Sequence, residues 1–234
     1  MLKLLYLKLK LFSIMKISNI FFDFDGVIAE SVNAKTEAFR KMYLKHGQEI
    51  ADQVVKFHIE NGGVSRYDKF RHWEKTFFDR NLSETEVNAM AKRFSDLVLD
   101  EVIAAKEVRG VKEFLEKYHS QYNFWIITGT PTQEIEIIVK KRNLSKYFKG
   151  VHGSPKNKKH WSEYLIKTER LDREKTLFIG DATTDMEAAE FSQLHFALRM
   201  HDENQNIFED YRGLKFHDFF ELEKELLNLE MISL

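Results

Sequence analysis

The chain has 234 residues, 43% of them apolar, enough for one large domain, or a domain with a sizeable insertion, around a real core. Thirty-six Lys plus Arg against thirty-seven Asp plus Glu leave a formal net charge of -1, so no global field favours nucleic acid or an anionic membrane, and a small-molecule partner fits better. The absence of cysteine excludes disulfides, thiolate nucleophiles and cysteine-ligated metals; it is compatible with a cytoplasmic protein and limits any metal to oxygen or imidazole ligands.

Residues 1–14, "MLKLLYLKLKLFSI", read as an N-terminal extension. Lys3, Lys8 and Lys10 interrupt the apolar run, no small-residue cleavage site follows, and the stretch is too short to span a bilayer. Met15 then opens "MKISNIFFDFDGV", a natural start. Its "ISNIFFDF" is continuously apolar, as in a parallel strand covered on both faces. The strand ends on Asp23 and Asp25, two residues apart and so aimed to one side. Two buried carboxylates repel each other unless a cation or a proton sits between them.

Residues 30–105 carry no strand signal. Helical patterns appear at "AKTEAFRKMYLKH", "EIADQVVKFHIE", "YDKFRHWEKTFFD" and "ETEVNAMAKRFSDLVLDEVIAA", far more chain than a crossover needs. The expected organisation is an inserted helical cap over 30–105 and a core built from 15–29 and 106–234. Within the insertion, "NGGVSRYDKF" (61–70) breaks the helical pattern at Gly62 and Gly63. It suggests a lid loop that sets Ser65 and Arg66 on a bound anion or sugar, against the plainer reading of a helix connection with a solvated arginine.

Beyond the insertion, strand-like runs at "FWIITGT", "TLFIGD", "LHFALRM" and, more weakly, "GLKF" alternate with helical patterns at "VKEFLEKYH", "TQEIEIIVKKRNL", "HWSEYLIKTERL", "DMEAAEFS" and "FFELEKELLNLE". This alternation predicts an α/β fold with a Rossmann-like, three-layer parallel sheet. Ligands bind outside the carboxyl ends of such strands, where Asp23 and Asp25, Thr128 to Thr130, and Gly180 with Asp181 converge. Asp185, four residues after Asp181, falls on the same helical face. Acidic oxygens from separate strand ends suit a hard cation of the Mg²⁺ type, which usually shares its shell with substrate phosphate. The nine histidines show no paired ligand spacing.

"DFDGV" at 23–27, Thr128 at the end of a strand, a lysine in "GSPKNKK" and "GDATTD" at 180–185 stand in the order and approximate spacing of the four motifs of the haloacid dehalogenase-like hydrolase superfamily. Over residues 17 to about 200 the chain resembles that superfamily, and the helical insertion after the first motif looks like the cap of the subfamily that includes phosphoglycolate phosphatase and β-phosphoglucomutase. The resemblance implies a Mg²⁺-dependent phosphatase acting on a small phosphomonoester through an aspartyl-phosphate. Asp23 would be the nucleophile and Asp25 the acid and base. Thr128, Gly129 and Thr130 would hold phosphoryl oxygens, and a lysine would balance charge. Asp23, the Asp25 main-chain carbonyl, Asp181 and Asp185 would surround the metal. Lys156, Lys158 and Lys159 all qualify as the lysine, with Lys158 favoured by counting back from "ERL" at 169–171. A phosphosugar mutase uses the same nucleophile and stays an alternative, as does a non-catalytic binding protein on this scaffold. Dehalogenase chemistry has no use for Asp25.

Overall fold

The computed structural model describes residues 17–231; the expectations for residues 1–14 and for Met15 lie outside them. Six strands form one parallel sheet: β1 (Asn19–Phe22), β2 (Asn123–Pro131), β3 (Gly150–Ser154), β4 (Thr176–Gly180), β5 (His195–Arg199) and β6 (Leu214–Phe216), in the spatial order β3-β2-β1-β4-β5-β6. β1 is central and wholly buried, which explains its unbroken apolar sequence.

The two-residue period sorts the sheet into two faces. Ile20, Phe22, Phe124, Ile126, Leu177 and Ile179 point into one apolar layer with Phe114, Ile135 and Phe219. Those three come from α5 (Val111–Tyr118), α6 (Thr132–Lys141) and α9 (Phe219–Met231). Phe21, Trp125, Ile127 and Phe178 point the other way, against Leu165 and Ile166 of α7 (Lys158–Thr168) and Ala188 and Ala189 of α8 (Thr183–Phe191). Helices on both faces of a parallel sheet make the expected three-layer α/β core.

Four helices lie between β1 and α5: α1 (Val32–Tyr43), α2 (Gln48–Glu60), α3 (Arg66–Phe78) and α4 (Glu84–Ala104). Phe39, Phe70, Trp73 and Phe94 pack edge and face at their centre, with ring centroids of Phe39 and Phe94 4.1 Å apart. Trp73 is therefore a packing residue. Ser83 closes a capping box with Glu86 at the start of α4, and Arg142 donates to the carbonyls of Val102, Ile103 and Ala105 at its end. The chain enters and leaves this insertion side by side: Glu30 N donates to Lys106 O, Val108 N donates to Ile28 O, and Ala29 bridges Glu107.

One strand differs from expectation. β3 carries Gly150, Val151, His152, Gly153 and Ser154, no apolar run, and pairs only with β2 at the sheet edge. An edge strand needs no residues covered on both faces, so its sequence looks like a loop. The remaining strands and helices fall where the patterns place them, within a few residues.

Candidate active site

β1 delivers Asp23 to the carboxyl end of the sheet, and the chain then turns through Phe24 to Ala29. Gly26 sits at φ +74°, and a Cβ there would fall 2.1 Å from Asp181 Oδ2. That glycine lets the first motif lie directly against the fourth. Asp23 is buried; its Oδ1 accepts from Phe24 N at 2.7 Å and its Oδ2 lies 2.8 Å from Lys158 Nζ. Lys158 Nζ also donates to Asp185 Oδ1 at 2.6 Å, and Asp185 Oδ2 accepts from Ala182 N at 3.1 Å.

The structure thus distinguishes the three candidate lysines. Lys158 is buried between two carboxylates, whereas Lys156 is exposed and Lys159 pairs on the surface with Glu187 at 2.8 Å. Lys158 opens α7 behind Asn157, whose side chain accepts from His160 N.

One oxygen each from Asp23, Asp181 and Asp185 lies within 4.8 Å of the others. Burial raises the pKa of Asp23; Lys158 opposes this, and Asp181 and Asp25 add to it, leaving the carboxyl above its ordinary value. Asp185 is pushed well above its own, again by burial first, with Lys158 opposing and Asp23 and Asp181 adding. Burial lowers Lys158, but Asp185 and Asp23 outweigh it and leave the ammonium firmly charged. Three buried carboxylates with one ammonium form an electrostatically unfinished group, and a divalent cation among them would complete it. The residues present fit Mg²⁺. The side chain of Asp25 is not part of this group, so any share it has in holding a metal comes through its main chain.

Asp25 has a separate environment. Ser31 Oγ donates to its Oδ1 at 2.6 Å, Thr130 Oγ1 donates to its Oδ2 at 3.1 Å, and Lys35 Nζ pairs with that same Oδ2. Lys35 also donates to Thr130 Oγ1 at 2.6 Å. Burial alone would raise Asp25, but the Lys35 ammonium, with the Ser31 and Thr130 hydrogen bonds, more than reverses this and holds the carboxyl below its ordinary value. Thr128 is buried beside this group, and its Oγ1 accepts from Thr130 N at 3.2 Å.

The Gly62–Gly63 turn of the insertion rests on the core. Thr184 Oγ1 donates to Gly62 O at 3.1 Å. A Cβ on Gly129 would meet Gly63 O at 2.7 Å, and one on Gly63, at φ +75°, would meet Thr184 Oγ1 at 1.9 Å. Between insertion and core lies a cleft of about 830 Å³, open mouth included, lined by Asp23, Asp25, Thr128, Gly129, Thr130 and Asp181 on the core side.

The two residues singled out in the insertion have other partners. Ser65 is the N-cap of α3, accepting from Asp68 N and donating to Asp68 Oδ2 at 2.6 Å, and it does not line the cleft that holds Asp23. Arg66 does line that cleft, but its guanidinium grips Glu134 of α6 through two bonds of 2.7 and 2.8 Å, donates to Ser95 at 2.7 Å and stacks over Phe94. It is neither the solvated connector nor a free anion receptor; it fastens the insertion to the core.

Sequence reasoning missed Lys35, Ser31, Glu134, His201 and Asn204. His201 Nε2 lies 2.9 Å from Asp181 Oδ2, and Asn204 Nδ2 donates to Asp181 O at 2.8 Å. The strand-end rule that located Asp181 would have pointed to 200–204 after β5, the next strand along the same rim.

The family profile described as haloacid dehalogenase-like hydrolase matches residues 20–198. The chain belongs to that family. No curated protein sequence matches it significantly. Among solved structures, the fold is similar to a chain assigned as a β-phosphoglucomutase from Bacteroides vulgatus, at 15% identity and TM-score 0.75, covering 96% of this chain and 98% of that one. A predicted phosphoglycolate phosphatase from Haemophilus somnus aligns at 20% identity and TM-score 0.67, over 89% and 97% of the two chains. A chain assigned as a hydrolase of the same superfamily from Bacillus subtilis, bound to magnesium, aligns at 16% identity and TM-score 0.65, over 91% and 99%. At these identities the likeness establishes the fold.

Proposed function

We propose that the protein is a Mg²⁺-dependent phosphatase that hydrolyses a small phosphomonoester through a phosphorylated Asp23, with residues 30–105 as the cap over the leaving group. The observation that carries this reading is the convergence of Asp23, Lys158, Asp181 and Asp185 on one buried group that opens into the same cleft as Asp25 and Thr128.

Asp23 is held for in-line attack by its own loop: Oδ1 is fixed by Phe24 N, and Oδ2 is steadied by Lys158, whose charge eases the approach of an anionic carboxylate to an anionic phosphoryl group. Thr128 and the chain at Gly129 and Thr130 would hold the transferring phosphoryl oxygens. Held by Asp23, Asp181, Asp185 and the Asp25 carbonyl, Mg²⁺ would supply positive charge for the phosphoryl oxygens. The lowered Asp25 suits the base half of the cycle, taking a proton from the water that attacks phosphorus. In the acid half, Asp25 would pass to the leaving oxygen the proton that its carboxyl takes from water in the base half, with Lys35 and Thr130 as the hydrogen-bond partners of the carboxylate that results. The Gly62–Gly63 turn rests against Ala182, Thr184 and Gly129 beside this chemistry.

A screen of the full chain for phosphate release from sugar phosphates, nucleotides and p-nitrophenyl phosphate, with Mg²⁺ and then with chelator, tests the reading. Release that needs Mg²⁺ and disappears in Asp23→Asn is expected. Full activity in chelator, or in Asp23→Asn, would overturn it.

A further inference from the structure

The three carboxylates gathered at the rim of the sheet differ in how their oxygens are already engaged. Asp23 has a donor on each oxygen, Phe24 N on Oδ1 at 2.7 Å and Lys158 Nζ on Oδ2 at 2.8 Å. Asp185 likewise has one on each, Lys158 Nζ on Oδ1 at 2.6 Å and Ala182 N on Oδ2 at 3.1 Å. Asp181 is engaged on one side only, by the segment that follows β5: His201 Nε2 lies 2.9 Å from Oδ2. An ionised carboxylate only accepts, so the imidazole proton stands on Nε2. The same oxygen lies against the backbone of Gly26, where a Cβ would fall 2.1 Å from it. Oδ1 of Asp181 accepts no hydrogen bond among the described residues.

His201 is itself held in place. Its main-chain N donates to Asn204 Oδ1 at 3.0 Å, and Asn204 Nδ2 donates to Asp181 O at 2.8 Å and to Arg199 O at 2.9 Å. Asn204 is buried, and the side chains of His201 and Asp181 are only 13% and 9% exposed. Residues 199–204 therefore close on Asp181 through both its main chain and its side chain.

We infer that His201 is a positioning residue that leaves Asp181 one oxygen for a metal ion, and that this restriction sets the preference of the site for Mg²⁺ over Ca²⁺. Mg²⁺ is small and demands a near-ideal octahedron, whereas Ca²⁺ gathers more oxygens in a looser shell and readily takes both from one carboxylate. With Oδ2 bound by the imidazole N–H and backed by Gly26, Asp181 meets a cation through Oδ1 alone. Main-chain amides and Lys158 hold the oxygens of Asp23 and Asp185, so the imidazole is the one contact on this group that can be removed without touching a residue of the four motifs.

This inference rests on the reading of Asp23, Asp181 and Asp185 as a Mg²⁺ site, and direct binding separates the two. The full chain is titrated with Mg²⁺ alone and with Ca²⁺ alone in a calorimeter, without substrate. His201→Ala should raise the affinity for Ca²⁺ relative to Mg²⁺ by about tenfold or more, the scale on which removing the outer partner of a metal ligand changes metal affinity. His201→Gln, whose amide N–H replaces the imidazole donor, should return most of the wild-type ratio. His201→Leu, which fills space but donates nothing, replaces the alanine variant if that one does not fold. An unchanged ratio in a folded alanine or leucine variant, or equal losses for the two ions, would overturn the role of His201 while leaving the Mg²⁺ site standing, as would a glutamine variant that behaves like alanine. Binding of neither ion to the wild type would overturn the Mg²⁺ reading and the inference with it. Metal binding without phosphate release from any ester would overturn the phosphatase reading alone, and the ratio would still decide the role of His201.

Discussion

Removing Glu134 tests how the insertion is held to the core. Glu134 stands in the first turn of α6, on the core, and its two oxygens receive two Arg66 donors at 2.7 and 2.8 Å as well as the hydroxyl of Ser95. The side chains of Arg66 and Glu134 are only 4% and 8% exposed, so solvent and salt screen the pair little. Glu134→Ala leaves a guanidinium buried without its carboxylate, a change that costs about 3 to 5 kcal/mol when one partner of a buried pair is lost. Arg66→Leu, which removes the charge with part of its volume, leaves the opposite orphan. The double variant removes both charges and should recover a good part of the loss, giving a coupling energy of about 2 kcal/mol or more. The assay is equilibrium urea unfolding of the four proteins, followed by kcat/KM on each. If the pair works only as a fastening, both single variants should lose activity by similar factors on every ester, since neither then contacts the leaving group. Additive stabilities, or a loss confined to Arg66→Leu and to one substrate, would refute this and return Arg66 to the role of a substrate contact.

Asp25→Asn should keep the three-carboxylate group intact and slow turnover by about a hundredfold or more, the usual size of an acid-base contribution; rapid-quench kinetics would show whether formation or breakdown of the phosphoenzyme slows. Gly129→Ala forces a Cβ to 2.7 Å from Gly63 O, so the lid turn must retract, and kcat should fall with little change in the thermal midpoint. Lys69 gives a pH signature. Its folded pKa lies below the ordinary 10.5, so between the two values the unfolded chain binds more protons and stability rises with pH. Unfolding free energies of the wild type minus Lys69→Met, measured from pH 7 to 10, should therefore increase. A flat difference would contradict the assignment.

Much of this site was legible because its chemistry is local. Asp23 and Asp25 interrupt an apolar run that must be buried, and Asp181 and Asp185 follow another at helical spacing, so strand ends and helix starts located four carboxylates without coordinates. Lys158 was only partly legible: three lysines share the segment, and the one that lies between Asp23 and Asp185 is placed there by the start of α7 at residue 158, which Asn157 signals as an N-cap. Arg66 shows the limit. Its sequence neighbours suggest a lid, but its partner Glu134 is 68 positions away, and no local pattern says that a buried carboxylate waits there. Lys35 and Lys69 sit on ordinary amphipathic helices, where a lysine usually faces water; only the packing of the insertion against the core turns them toward the cleft. β3 was missed for the converse reason, since an edge strand with two glycines carries too little apolar sequence to be noticed.

The central claim is that Asp23 carries the phosphoryl group. Full chain, Mg²⁺ and a radiolabelled phosphate ester, mixed and quenched in acid within a single turnover, should yield a peptide containing Asp23 with one phosphoryl group attached, and Asp23→Asn should yield none. Steady release of phosphate with no label on that peptide at any quench time, or equal label in Asp23→Asn, would contradict the account.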